Sequence, residues 1–387
     1  MTDAAVCHTS LHDRAAGESL GRQIRERFQG SEPDALIVFA SPRNDYGTLL
    51  EALAATCAPR VMVGCSSAGE FTNEAMGEGI TCAVALRSTE VRFAAALGQG
   101  ITTDHEAVAQ EIVAGFRGLE QREYRYRTAL ILVDALAGHG EGLVEHLTHL
   151  TAGTYRFFGG GAGDDARFQR THVFCGTETY TDAAVALEIL SHKPIGIGVR
   201  HGWQPASPPF RVTAAEAMRL ASLNAIAAAD VFEEHAAAAG QTFDRADPVP
   251  FFLHNILGIE TGSGHKLRVP LGVDQEGRVV CAAEIPVGAT ARIMSCGGGS
   301  AAAAAAAAVR DALHQIEGHK PAAALFFDCV ATRLRLGKEF GMELESLAAE
   351  LGAVPYAGFN TYGQIARAEG QFSGFHNCTA VVCIIPE

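Results

Sequence analysis

Three stretches of the chain share one rhythm of apolar and polar positions. The first opens with ALIVFA, Ala35 to Ala40, an unbroken apolar run of the length of a buried strand. Tyr46, Leu49, Leu50, Leu53 and Cys57 follow at spacings that place them on one helical face. A short strand VMV, a small-residue turn GCSSAGEF and an apolar strand from Ile80 to Leu86 complete the unit. In the second stretch ALILV (Ala129 to Val133) leads to a helix with Leu143, Leu147 and Leu150 aligned, strand RFF, turn GGGAGDD, a hairpin through THVFCG, and strand Ala183 to Leu190. The third runs from AAALFF (Ala322 to Phe327) through a helix carrying Phe340, Leu344, Leu347 and Leu351, strand VPYA, turn GFNTYGQI and the closing strand Thr379 to Ile385. A layout that recurs with different side chains marks architecture. The expected fold is α/β, with repeated strand-helix-strand-strand units forming mixed sheets packed with helices.

A different stretch separates the second and third copies. Thr213 and Glu216 have capping-box spacing, which predicts a helix from Thr213. KLRVPLGVDQEGRVVCAAEI reads as a hairpin turning at Gly277. Eight alanines after Ser300 predict a slim helix with Val309, Leu313 and Ile316 as its apolar stripe and Gly318 as its stop. Such a helix can approach a sheet closely.

Composition narrows the class. The 387 residues, 48% apolar and 19% charged, are those of a globular protein with a large core. A net charge of -14 repels nucleic acid and anionic lipid. The opening residues hold no signal-peptide core, and no run of about 18 apolar residues occurs, so a soluble protein without membrane insertion is expected. Ten cysteines without a CxxC pair read as reduced thiols of a cytoplasmic chain.

The glycine turns raise the question of chemistry. Gly64 to Gly69 is one residue too long for a nucleophile elbow, and Cys65 aligns with Gly159 and Phe359, so no nucleophile recurs. A hydrolase or transferase using Cys65 remains the rival reading. What recurs is an acceptor after the last glycine, Glu70, Asp164 and Gln364. These side chains either bind the polar end of a small ligand or bond nearby loop backbone. GGGAGDD lacks dinucleotide spacing and carries two carboxylates, while GHGEGL and GSGHKL lack a P-loop ending, so phosphate binding is set aside. His146 and His149, with His139 and Glu145, match no metal motif and read as solvated surface, so no metal is expected. His201 beside Trp203, His254 after an apolar run, and His376 beside Asn377 sit where a site could form.

VMVGCSSAGEF, FFGGGAGDD with VRHGWQP downstream, and PYAGFNTYGQI with FHNCT together resemble the FIST sensory family, in order and from about Asp34 to Glu387. The resemblance implies two tandem domains, residues 30–215 and 216–387, and a small-ligand sensor, with amino-acid-like ligands proposed for the family. Its output partner would be a histidine kinase or a cyclic-di-GMP enzyme, as in two-component signalling. One branch of the family senses nitric oxide through haem b held by a histidine, for which His201, His254 and His376 are the candidates. The expected ligand site comprises Gly64, Cys65, Ser66, Gly69, Glu70, Gly160, Gly163, Asp164, Trp203, Asn360, Tyr362, Gly363, Gln364 and Asn377. Gln364 departs from the glutamate usual after that tyrosine and glycine, and the polyalanine helix is foreign to the family pattern.

Overall fold

The computed structural model describes residues 1–121, 123–262, 264–367 and 373–387. All three predicted units form, each around a parallel strand pair joined by a helix. Ala35–Ala40 pairs with Val61–Ser66, Tyr126–Val133 with Arg156–Gly161, and Pro321–Cys329 with Tyr356–Thr361. The closing strands Thr81–Ser88, Ala183–Ser191 and Ala380–Pro386 return antiparallel on the other side of the first strand.

The repeat is larger than the apolar pattern predicts. Each closing strand is flanked by a further edge strand, Thr2–Thr9, Arg92–Gln99 or Gly196–Arg200. A helix follows the edge strand directly in the first two units, Asp13–Arg27 and Ile101–Ala114. In the third unit the corresponding helix is Ser300–Gln315, the polyalanine segment. That segment therefore belongs to the repeat rather than to the stretch before it. Thr2–Thr9 escapes a search for apolar runs because it is a half-buried strand with alternating exposure.

Slimness matters in the polyalanine helix. Its buried face is Ala304, Ala305, Ala308, Val309 and Ala312, with Ile316 buried at its end and Leu313 only partly covered. A Cβ at Gly198 or Gly196 of the facing strand would lie 1.8 Å from the Ala308 carbonyl oxygen or 2.0 Å from that of Ala312. Helix and sheet are thus in backbone contact.

After each glycine turn the chain leaves its own sheet. Glu70–Thr72 and Met76–Gly77 extend the third sheet beside Tyr356–Thr361. Gln364–Arg367 and Ser373–His376 extend the second beside Arg156–Gly161. Val173–Cys175 and Glu178–Tyr180 extend the first beside Val61–Ser66. This exchange closes a cycle, and each unit lends an arm to a neighbour. The inner faces of the three sheets meet in one core, where Phe39 lies 6.0 Å from Phe327 and 4.6 Å from Phe359 between ring centroids, and Phe158 lies 6.0 Å from Phe327.

Between Gly196–Arg200 and the polyalanine helix, the third unit alone carries a nine-stranded sheet. The helix expected from Thr213 does not form there. Phe210–Glu216 is a strand hairpinned to Arg219–Leu223, with the Thr213 hydroxyl 2.7 Å from that of Ser222 and accepting the Ala225 N–H at 2.9 Å. Two cap-type residues cannot nucleate a helix without an apolar stripe to bury, and the cross-strand partner takes the threonine instead. The hairpin at Gly277 does form: Val273 faces Val279, and Gly277 has φ of 75°. In the second unit's helix Leu150 is exposed, and the buried stripe is Leu143, Val144 and Leu147. No helix among the described residues is long and apolar enough to cross a membrane.

Candidate functional site

The three glycine turns meet and bond to one another through backbone. Ala68 donates to the Asn360 carbonyl at 3.1 Å and Asn360 donates to that of Gly69 at 2.8 Å. Gly161 donates to Gly363 at 2.8 Å, Tyr362 donates to Gly161 at 3.0 Å, and Gly163 donates to Ser66 at 2.9 Å. The glycines make this approach possible, since a Cβ at Gly163 would stand 2.7 Å from the Ala68 nitrogen and one at Gly160 would stand 2.8 Å from the Gly363 oxygen. Gly69 and Gly363 also hold φ of 111° and 122°, open to glycine at little cost. Gly64 lies against Val38 in the same way, within its own sheet.

The acceptors after these glycines are spent on the turns. Glu70 accepts from the Ser67 hydroxyl and from the Ile80 N–H at 3.3 Å. Asp164 accepts from the N–H groups of Phe168, Gln169 and Arg170 and from the Tyr362 hydroxyl. Gln364 donates to Thr361 at 2.6 Å and accepts from the Thr379 N–H at 3.2 Å. The Ser66 hydroxyl accepts from the His172 N–H at 2.9 Å. Cys65 is fully buried, and burial, with Cys82 and Glu70 nearby, holds its thiol well above the ordinary range. These groups act as joints.

Open space lies to either side of this centre. A cleft of about 380 Å³ is bounded by Gly69, Glu70, Glu78, Arg333, Lys338 and Asn360. Burial raises the Glu70 carboxyl well above its usual pKa, against the Ser67 hydrogen bond and the nearby Arg333 charge. A second cavity, about 470 Å³, lies where the nine-stranded sheet faces the glycine turns. Val269, Pro270, Leu271 and Cys281 form one wall, Leu136, Phe168 and Tyr362 another, and Cys329, Val330 and Ala331 the floor. The Tyr362 and Phe168 rings stack at 4.4 Å and 17°, presenting an aromatic face. Asn377 also borders the cavity, its carbonyl oxygen taking the Val269 N–H at 3.2 Å. The short helix Val330–Leu336 separates the two spaces, and Leu334 touches both.

Of the expected site residues, Tyr362 and Asn377 reach the larger cavity and Gly69, Glu70 and Asn360 reach the cleft. Gly64, Cys65, Ser66, Gly160, Gly163, Asp164, Gly363 and Gln364 border neither. Trp203 is buried under the Arg335 guanidinium, 5.4 Å from the ring centroid, and shares a narrow crevice with His201. His201 Nε2 bonds the His265 carbonyl at 3.0 Å. His376 is buried, and burial together with Lys266 and Arg268 keeps it neutral. Burial and Arg335 lower the pKa of His254.

Cys329 was not anticipated from sequence. It ends the strand Pro321–Cys329, and the carboxyl ends of parallel strands are where α/β sheets place ligands. Hydrogen bonding from the Cys378 thiol, aided by the N–H groups of Cys378 and Ala331 and the Gln364 amide, outweighs burial and brings its pKa down to about 6.

Profile comparison matches residues 34–226 to the FIST N domain and residues 228–367 to the FIST C domain. The chain belongs to the FIST family. FIST domains are small-ligand-sensing domains of signalling proteins. Two curated relatives, uncharacterised proteins of Mycobacterium tuberculosis strains CDC 1551 / Oshkosh and ATCC 25618 / H37Rv, are each 23% identical over 382 residues, covering 96% of either chain. Among solved structures, a cyanuric acid hydrolase from A. caulinodans overlaps all of both chains at 9% identity with a TM-score of 0.36. PurLQS from Thermotoga maritima overlaps 99% of this chain and 72% of its own at 11% identity with a TM-score of 0.22. Both likenesses are too remote to carry an argument about this FIST protein.

Proposed function

We propose that this FIST protein is a small-ligand receptor whose ligand occupies the 470 Å³ cavity between the nine-stranded sheet and the glycine turns. One observation carries the reading: the lining is largely apolar and aromatic, includes no Asp, Glu, Lys, Arg or His, and holds Asn377 and the Cys329 thiol as its polar groups. Such a pocket takes a neutral, largely apolar molecule. The floor continues into the helix Val330–Leu336, so occupancy would bear on a segment that also borders the 380 Å³ cleft through Arg333 and Leu334. A separate cytoplasmic signalling protein, of the histidine kinase or cyclic-di-GMP class, would read that change.

Neither alternative site chemistry finds support here. A histidine-ligated haem does not fit the cavity, because His201, His254 and His376 are absent from its lining. Cys65 lies sealed in the core, which removes the basis for a nucleophile at that position. A zwitterionic, amino-acid-like ligand suits the 380 Å³ cleft instead, where the Glu78 carboxylate stands with the Arg333 and Lys338 cations.

The neutral dye N-phenyl-1-naphthylamine tests the assignment. Saturable fluorescence enhancement is expected, with loss in Ala331→Trp and in Leu271→Glu and none in Arg333→Ala. Dye binding unchanged in both cavity variants would overturn it. A panel of free amino acids tested by calorimetry separates the second reading, which requires heat that disappears in Arg333→Ala.

A further inference from the structure

A group of side chains outside both spaces has the form of a metal site. His105 and Glu106 begin the regular part of the helix Ile101–Ala114: Asp104 departs from helical angles, and its carboxylate caps the Ala107 N–H at 2.9 Å. His146 projects from the packed helix Gly140–Leu150. One ligand atom from each of His105, Glu106 and His146 lies within 4.8 Å of the others. The sequence pattern paired His146 with His149 along one helix, whereas the fold brings His105 and Glu106 to it from a second.

Two features build this group in advance. The His146 Nδ1 is 2.9 Å from the Gly142 carbonyl, a bond that makes Nδ1 the donor and directs the lone pair of Nε2 outward. That Nε2 stands 3.1 Å from a Glu106 oxygen, so two acceptors face each other unless a proton or a cation joins them. Gly142 does a second service. A Cβ there would lie 2.6 Å from the His105 Nε2, so the missing side chain is what lets that imidazole rest on the helix. His139 holds the ring from another side, stacked at 4.9 Å and 3°. Glycine is disfavoured in a helix relative to alanine, and here the imidazole occupies the room it leaves.

We propose that His105, Glu106 and His146 form a binding site for a divalent transition-metal ion of the zinc type, clamping the two helices together. Two imidazole nitrogens and one carboxylate oxygen suit Zn²⁺ and its late first-row neighbours, and water completes the shell at this partly exposed position. The ion takes the place of any proton on Nε2.

The test is a Zn²⁺ titration of the untagged full chain by calorimetry or against a chromophoric chelator. Wild type is expected to hold one more ion than His105→Ala, His146→Ala or Gly142→Ala. Gly142→Ala decides the matter, since it keeps all three donors and favours the helix, yet displaces the His105 ring. Tenfold or greater weakening in that variant, with metal-free thermal unfolding no lower than wild type, supports the site. Wild type and His146→Ala binding Zn²⁺ equally, or Gly142→Ala binding as wild type does, overturns it. Ni²⁺ in place of Zn²⁺, read from the histidine ring resonances it broadens, gives a second readout independent of stoichiometry.

Discussion

The centre of the molecule and the junction beside it are built on opposite principles. At the centre, three glycine turns interlock through backbone hydrogen bonds, and side chains with chemical potential such as Glu70, Asp164 and Gln364 are consumed in holding them. At the junction, an apolar wall of the inserted sheet and one formed by Leu136, Phe168 and Tyr362 from the turns stand apart around about 470 Å³. The centre follows the repeat, whereas the junction exists because only the third unit carries an inserted sheet. Recurrence in this protein marks packing, and the receptor space lies where recurrence is broken.

The largest expected effect comes from disturbing the close packing that the repeat depends on. Gly198→Val would drive a branched side chain into the carbonyl of Ala308, already 1.8 Å from an ideal Cβ. Overpacking of this kind costs on the order of 3 kcal/mol, and thermal unfolding should fall accordingly or soluble protein be lost. Gly272→Val, on a strand of the inserted sheet where a Cβ meets nothing within 4 Å, should leave unfolding near wild type. Equal behaviour of the two variants would erase the distinction between the rigid repeat and its insertion.

A smaller effect should follow pH. Glu343 is buried on the helix Phe340–Leu351, and its Oε2 has no hydrogen-bond partner among the described residues. Burial raises its pKa from about 4.5 to about 8, with Arg335 opposing the shift and Cys329 adding to it. Asp328 faces it as a second buried acid with a raised pKa. Between those two pH values the folded chain retains a proton that the unfolded chain releases, so this contribution is whole below pH 4.5 and drains away as pH rises toward 8. His376, held neutral by burial, works in the other direction, losing stability as pH falls below its ordinary value of 6.5. The difference between wild type and Glu343→Gln reads Glu343 together with the relief it gives Asp328. The variant should gain several degrees over wild type at pH 8 and little at pH 5, and a constant offset would contradict the assignment.

The units were legible because buried strands read as apolar runs and their helices as single-face stripes, as Ala35–Ala40 and Leu49 to Cys57 show. The glycine turns were legible too, and so was the need for close approach that explains them. The edge strands were not: Thr2–Thr9 alternates, and Arg92–Gln99 is only partly covered, so neither rises above loop background. The polyalanine helix was seen, but its place in the repeat was hidden by the sheet inserted before it. Arm exchange is a long-range property with no local signature, which is why side chains at the turns looked available for ligand. Cys329 carries no motif, and its lowered pKa arises from Cys378, forty-nine positions away.

The smallest perturbation, with no expected effect on stability, compares two cysteines directly. Cys65 belongs to the sealed centre, where burial first, then Cys82 and Glu70, raise its thiol pKa. Cys329 stands on the floor of the cavity, its thiolate supported by the Cys378 thiol and by the N–H groups of Cys378 and Ala331. Its pKa near 6 favours the thiolate at neutral pH, where the raised pKa values of nearby Asp328 and Glu343 keep those carboxyls protonated. Alkylation by iodoacetamide consumes thiolate, the sulfur displacing iodide, so rate follows both ionisation and access. Near pH 7, peptide mapping should find Cys329 modified at least tenfold faster than Cys65, with the rate levelling off above about pH 6 and the two rates converging in denaturant. The adduct fills part of the cavity, so N-phenyl-1-naphthylamine binding should fall in step with Cys329 modification, and prior dye binding should protect the thiol. Cys65 reacting as quickly as Cys329 in the native protein would mean that the centre opens to solvent, and the contrast between the sealed centre and the hollow junction would fail.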